Sequence, residues 1–260
     1  SMGQRDIPVA CLTSLGLTPL DMPATIEAVD LGKGIPKPEL VSNRQEQILW
    51  MLNYFEDGER EFLNQAHVPI AVARLLSDAG NDYWLRQLVG ERFSETIGKH
   101  SKAQNEVIQS CILALGQIGD CDNDPVDVTV REALTNVLED RSDQQSQYFS
   151  LVALAQVAGR PGTGEGVPLA GLDAKGNPRG FLMERLAKGK PEMRAWASLA
   201  LAVLERSLDD AKQPSSLESK SALAKALADA KAPAEVGAMA IANGMVKNTE
   251  ARDVLRDKFQ

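Results

Sequence analysis

A chain of 260 residues is long for one compact globule and suits five or six stacked helical pairs. With 43% hydrophobic, 25% charged and only 5% aromatic residues, and with Ala and Leu abundant, it favours helix-on-helix packing over a β-sandwich. The net charge of −8 is uneven, residues 1–170 holding 13 Lys and Arg against 24 Asp and Glu and residues 171–260 holding 15 against 12; the acidic first part argues against nucleic acid and leaves room for a basic partner.

Residues 6–20, DIPVACLTSLGLTPL, read as a helix, and residues 19–42, with Pro19, Pro23, Pro36 and Pro38 beside Gly32 and Gly34, read as an extended crossing loop. A helix follows at 43–57, with Ile48, Met51, Leu52 and Phe55 on one face and Asn43 or Ser42 as its cap. The segment 67–81 reads as a helix with Pro69 in its first turn, and 82–97 as another carrying Trp84, Leu85, Leu88, Val89 and Phe93. Helices are expected at 106–120, 126–141 and 143–158, then a Gly- and Pro-rich inserted loop at 159–180, then helices at 180–189, 191–207, 217–231 and 233–247. The last segment, ARDVLRDKFQ, reads as the first helix of a further pair. Half-repeats at both ends suggest a piece of a longer solenoid, and Ser1 before Met2 reads as a scar of tag removal that leaves the native N-terminus open. No apolar run approaches the ~20 residues of a membrane span, so membrane insertion is not expected.

One stretch is rewritten along the chain. Beneath 106–120, EVIQSCILALGQIGD, can be laid 145–159, 192–206 and 232–246, with starts 39, 47 and 40 residues apart. Leu115 then falls on Leu154, Leu201 and Ile241, and Gly116 falls on Ala155, Ala202 and Ala242. Val107, Cys111, Leu115 and Ile118 make one helix face, and the small column beside them lets neighbouring helices approach closely. A period near 40 of this kind marks an α-solenoid, in which each unit buries its apolar side against its neighbours. The phrase CILALGQIGD, with SLVALAQVAG and ASLALAVLER, resembles the second helix of a HEAT repeat. The resemblance implies an all-α chain forming one α-α superhelix over 1–260, with the second helices lining its concave surface.

Chemical signals are few. GRPGTGEG at 159–166 lacks the Lys and the Ser or Thr of a phosphate loop, and Glu165 would repel a triphosphate. Asp120, Asp122, Asp124 and Asp127 suggest a calcium loop, but Pro125 and Arg131 stand where an EF-hand wants Gly and Glu, so the reading is a turn in which Asp124 or Asp127 caps the next helix. His67 and His100 lie on different repeats, so no metal ligand set and no cofactor are expected. Cys11 and Cys111 read as small core residues, and Trp50, Trp84 and Trp196 as core.

The remaining candidate is a ladder of side chains flanking the leucine column. Gln109, Tyr148 and Glu235 form one set of rungs and Gln117, Gln156 and Asn243 another, a surface suited to a peptide or helix laid in a groove. The expected function is a non-catalytic scaffold that binds a protein or peptide there. The alternative, an enzyme accessory or lyase-type protein acting on a small molecule, needs a pocket of convergent polar residues, and no such cluster is visible in the sequence. A DNA-glycosylase-like solenoid is disfavoured by the acidity of the first 170 residues.

Overall fold

A computed structural model describes residues 3–23, 34–77, 83–162 and 178–259, and among them there are helices and no strands. In chain order these are α1 (Gly3–Leu17), α2 (Arg44–Glu56), α3 (Phe62–Gln65), α4 (Val68–Leu75), α5 (Trp84–Ile97), α6 (Asn105–Ile118), α7 (Pro125–Asp140), α8 (Gln144–Gly159), α9 (Pro178–Lys188), α10 (Pro191–Asp210), α11 (Leu217–Asp229), α12 (Pro233–Met245) and α13 (Arg252–Phe259). Most of the glycine-rich insertion, and the middle of the proline-rich loop, lie outside the described residues.

Local chemistry sets the helix starts. Pro125, Pro191 and Pro233 each open a helix at its first position, where the missing N–H has no partner to lose. Asn43 caps α2 by accepting from the Glu46 backbone N–H, and the Glu46 carboxylate reaches back to the Ser42 N–H at 2.8 Å, a reciprocal capping box. Those bonds from Ser42 hold the Glu46 carboxyl below its usual range. Asp143 caps α8 and Ser216 caps α11 from one side only, each side chain accepting from a backbone N–H three residues on. Asp124 occupies the cap position of α7 without a side-chain bond, and the Asp127 carboxylate turns back to the Asp120 N–H, so neither aspartate caps this helix.

Alternate helices pack in series: α1 on α4, α4 on α6, α6 on α8, α8 on α10 and α10 on α12. The helix between each pair flanks the series, α5 lying on α6, α7 on α8, α9 on α10 and α11 on α12. The core runs along this series. Leu115, Leu154 and Leu201 are fully buried, with Ala114, Ala153 and Ala200 beside them. The small column does what its size permits: a Cβ on Gly116 would stand 2.9 Å from the Ala153 Cα, and one on Gly16 would stand 2.6 Å from the Ala71 Cα. Side chains larger than hydrogen would push these backbones apart.

Polar side chains lock neighbouring helices where carbonyls would otherwise be orphaned. Gln47 of α2 donates to the carbonyls of Leu15 and Thr18 at the end of α1. Arg141 donates to Ile97 and Gly98 at the end of α5, and Arg194 to Leu186 in the last turn of α9. A guanidinium at a helix C-terminus satisfies open carbonyls and suits the helix dipole.

Two expectations need correction. Cys11 is exposed, because α1 turns Leu12 and Gly16 inward instead. Ile241 is exposed, and α12 buries Met239, Ala242, Asn243 and Val246. The columns of α12 are therefore two residues out of register with those of α6, and two residues on an α-helix turn the face by about 200°. The closing segment forms α13, which packs on α11 as α11 packs on α9, with Lys258 Nζ donating to the Ala230 carbonyl at 2.6 Å.

Candidate functional site

The densest polar cluster lies between α5, the α6–α7 turn and the end of α8. Arg86 is buried and donates from Nη2 to Asp127 Oδ1 at 2.7 Å, from Nη1 to Asp127 Oδ2 at 3.1 Å and from Nη2 to Asp120 Oδ2 at 3.1 Å. Arg86 also reaches the Ile118 carbonyl. Arg160 caps α6 through the carbonyls of Gly116, Gln117 and Gly119, and Arg131 donates to the Asp120 carbonyl at 2.8 Å. Burial, followed by the neighbouring Asp127 carboxylate, pushes the Asp120 carboxyl up to about 6.

Asp120, Asp122 and Asp127 bring carboxylate oxygens within 4.8 Å of one another, the spacing of a cation site. Their lone pairs are already engaged. Backbone N–H groups of Asp120, Asp122 and Asp124 donate to Asp127, Asp120 and Asp122 in turn, and the Arg86 fork stands where a cation would balance the charge. The arrangement is a buried ion network that joins α5 to α7 and to the turn before it.

The ladder predicted from sequence divides. Gln109 is half-buried, and its Nε2 donates to Asp143 Oδ2 at 3.0 Å, tying α6 to the cap of α8. Burial raises the Asp143 carboxyl, but hydrogen bonds from Ser146 and Gln109 outweigh it and leave it below the usual carboxylate range. Gln117 is exposed, and Gln156 is half-buried against Gly116. Glu235 and Asn243 are buried and do not reach an accessible surface. Glu235 lies 2.9 Å from Arg194 Nη1, and Asn243 donates to the carbonyls of Leu223 and Met239 while accepting from Asn248. The two-residue register shift of α12 accounts for both misplacements.

Tyr148 stands at the richest part of the surface. Its ring stacks on Trp196 of α10 with centroids 5.5 Å apart and planes 10° apart, and Phe149 meets the other edge of Trp196 at 6.3 Å. Trp196 is therefore half-buried and part of a ledge, not the enclosed core residue expected from its spacing. Beside the ledge opens a cavity of about 360 Å³ between the start of α8 and the α9–α10 turn. Leu138 and Met193 supply apolar wall, Tyr148 and Gln147 the α8 side, and Arg185, Lys188 and Lys190 with Glu184 and Glu192 a rim of mixed charge. The sequence signal for this cavity was Tyr148 on the ladder.

No protein-family model matches the chain, and no characterised protein or solved structure matches it either. Among the described residues no helix is long and apolar enough to cross a membrane.

Proposed function

We propose that the chain is an α-α superhelix of HEAT-like helical pairs acting as a non-catalytic scaffold, and that it binds a protein or peptide along the surface of α6, α8 and α10. The observation that carries this reading is the Tyr148–Trp196 ledge beside its open cavity. A stacked aromatic pair offers large contact area with few rotors to freeze, and an open pocket with a small apolar wall and a charged rim can anchor one side chain of a longer ligand. Gln117 and Gln156, further along α6 and α8, supply hydrogen-bonding groups for an extended or helical segment, while the Gln109 amide already donates to Asp143. Its fit to a peptide rests on recognition chemistry alone, with no reacting group required.

Selection from a displayed peptide library tests this. Peptides recovered on the intact protein should lose about tenfold in affinity, ~1.4 kcal/mol, with Tyr148→Ala. Gln117→Ala, at an exposed position, should change affinity far less and melt like the parent, while Tyr148→Ala should stay folded with stability lowered by about 0.5–1.5 kcal/mol for the lost stack. Binders indifferent to Tyr148→Ala would place recognition elsewhere on the surface.

A further inference from the structure

A second cavity shares the form of the first. It lies at the end of α2, has a volume of about 390 Å³, and is walled by Trp50 and Tyr54 together with Lys37 and the turn that carries Asp57 and Arg60. The Trp50 and Tyr54 rings stack with centroids 5.8 Å apart and planes 30° apart, and both residues are half-buried. The Arg60 guanidinium lies over the Tyr54 ring, 4.9 Å from its centroid, and is held there by Asp57 Oδ2 at 2.9 Å. The aromatic wall is therefore ordered before any ligand arrives, which lowers the entropy cost of binding.

Both cavities lie along one edge of the stack. The last turn of α2 rests on the second half of α5, with Glu56 3.5 Å from Arg92 and Phe55 edge-on to Phe93. Lys99, just past α5, meets Asp140 at the end of α7 at 3.1 Å, and Arg141 donates back to the Ile97 and Gly98 carbonyls. Glu139 in the last turn of α7 reaches Arg185 in the last turn of α9 at 3.9 Å. The C-terminal ends of α2, α5, α7 and α9 thus follow one another, one cavity at α2 and the other beyond α7. Packed helices stand about 8–10 Å apart, which places the cavities roughly 20–25 Å from each other. An extended chain crosses that distance in about six to eight residues. The charges along the edge neutralise one another, in the pairs Arg60–Asp57, Arg92–Glu56, Lys99–Asp140, Arg185–Glu139 and Lys188–Glu184. What the edge offers a partner is ring faces at two points and little net charge between them.

We infer that one extended, low-charge segment of a partner protein spans both cavities and seats an aromatic side chain in each. The inference rests on the reading of the Tyr148–Trp196 ledge as a peptide site, and adds to it a second anchor, the spacing of the two and their chemistry. Each cavity presents a stacked ring pair, against which a flat aromatic side chain packs over a large area. Either cavity alone holds its anchor weakly. Joined on one chain of matching length, the second anchor binds at high effective concentration, and the pair holds far more tightly than either.

Neutral peptides with two tryptophans held apart by polyproline spacers of about 3, about 7 and about 12 residues serve as rulers, at about 3.1 Å per residue. Fluorescence anisotropy of the end-labelled peptides, titrated with the protein to about 1 mM, reads each affinity. The middle spacer should bind about tenfold tighter than a peptide with one tryptophan, and the short and long spacers should lose that gain. Added salt should change the affinity little. Trp50→Ala and Tyr148→Ala should each abolish the gain; Tyr54→Ala, on the same wall as Trp50, repeats the test if the melt shows Trp50→Ala to be misfolded. No gain at the middle spacing, with Tyr148→Ala still weakening the peptides, overturns the second anchor and leaves the ledge reading standing. Peptides weakened by Trp50→Ala but indifferent to Tyr148→Ala overturn the ledge reading and the two-anchor segment with it. Absence of binding by every two-tryptophan peptide overturns the proposal as well.

Discussion

Arg86→Ala should cost the fold on the order of 3–5 kcal/mol, read as a fall in the urea midpoint. The loss would come less from the bonds removed than from what remains. Asp120 and Asp127 are buried, and both accept from Arg86, which also satisfies the Ile118 carbonyl. Without the guanidinium, two carboxylates face each other in a site where burial already raises both of their pKa values. Arg86→Met combined with Asp120→Asn and Asp127→Asn removes the charges together and should recover a large part of the loss, since a neutral network no longer holds an uncompensated charge. A loss below about 1 kcal/mol for Arg86→Ala would mean that water reaches the carboxylates and screens them.

Leu115→Ala and Leu154→Ala should each cost about 2–5 kcal/mol. Both side chains are fully buried, on α6 and α8, which pack directly on each other. Ala114 and Ala153 lie beside them on the same helices, so there are few long side chains near enough to collapse into the space left. Gln117→Ala, exposed on the other side of α6, should change stability by less than about 0.5 kcal/mol. Chemical denaturation of the three variants compares the two faces of one helix, and a reversed order would mean that the faces are assigned wrongly.

The repeated columns were legible because apolar spacing is a local property that survives without any partner in view. The buried leucines of α6, α8 and α10, the helical character of the chain and most helix limits to within a few residues came from it. α12 misled the reading because Ala-Ile-Ala at 240–242 imitates Ala-Leu-Gly at 114–116, whereas its inward face is set by Met239, Asn243 and Val246. A buried asparagine in a leucine column has no periodic signature; it makes sense only once the Leu223 carbonyl is beside it. The polar locks were invisible for the same reason. Arg86 and Asp127 are 41 residues apart, and nothing local distinguishes Arg86 from a solvated arginine. Of the candidate ladder, Tyr148 was legible as an aromatic rung, but its stacking on Trp196 depends on the approach of α8 to α10.

Native-state hydrogen exchange, followed helix by helix, tests most directly the claim that stability passes along the series from neighbour to neighbour. In a stack of this kind interior units are held from both sides and terminal ones from one. Protection should be highest in α6, α8 and α10 and decline in steps toward α1 at one end and α12 and α13 at the other. Exchange of all these helices with one common opening free energy would contradict the account, because it would show a single cooperative core in place of a helix-by-helix stack.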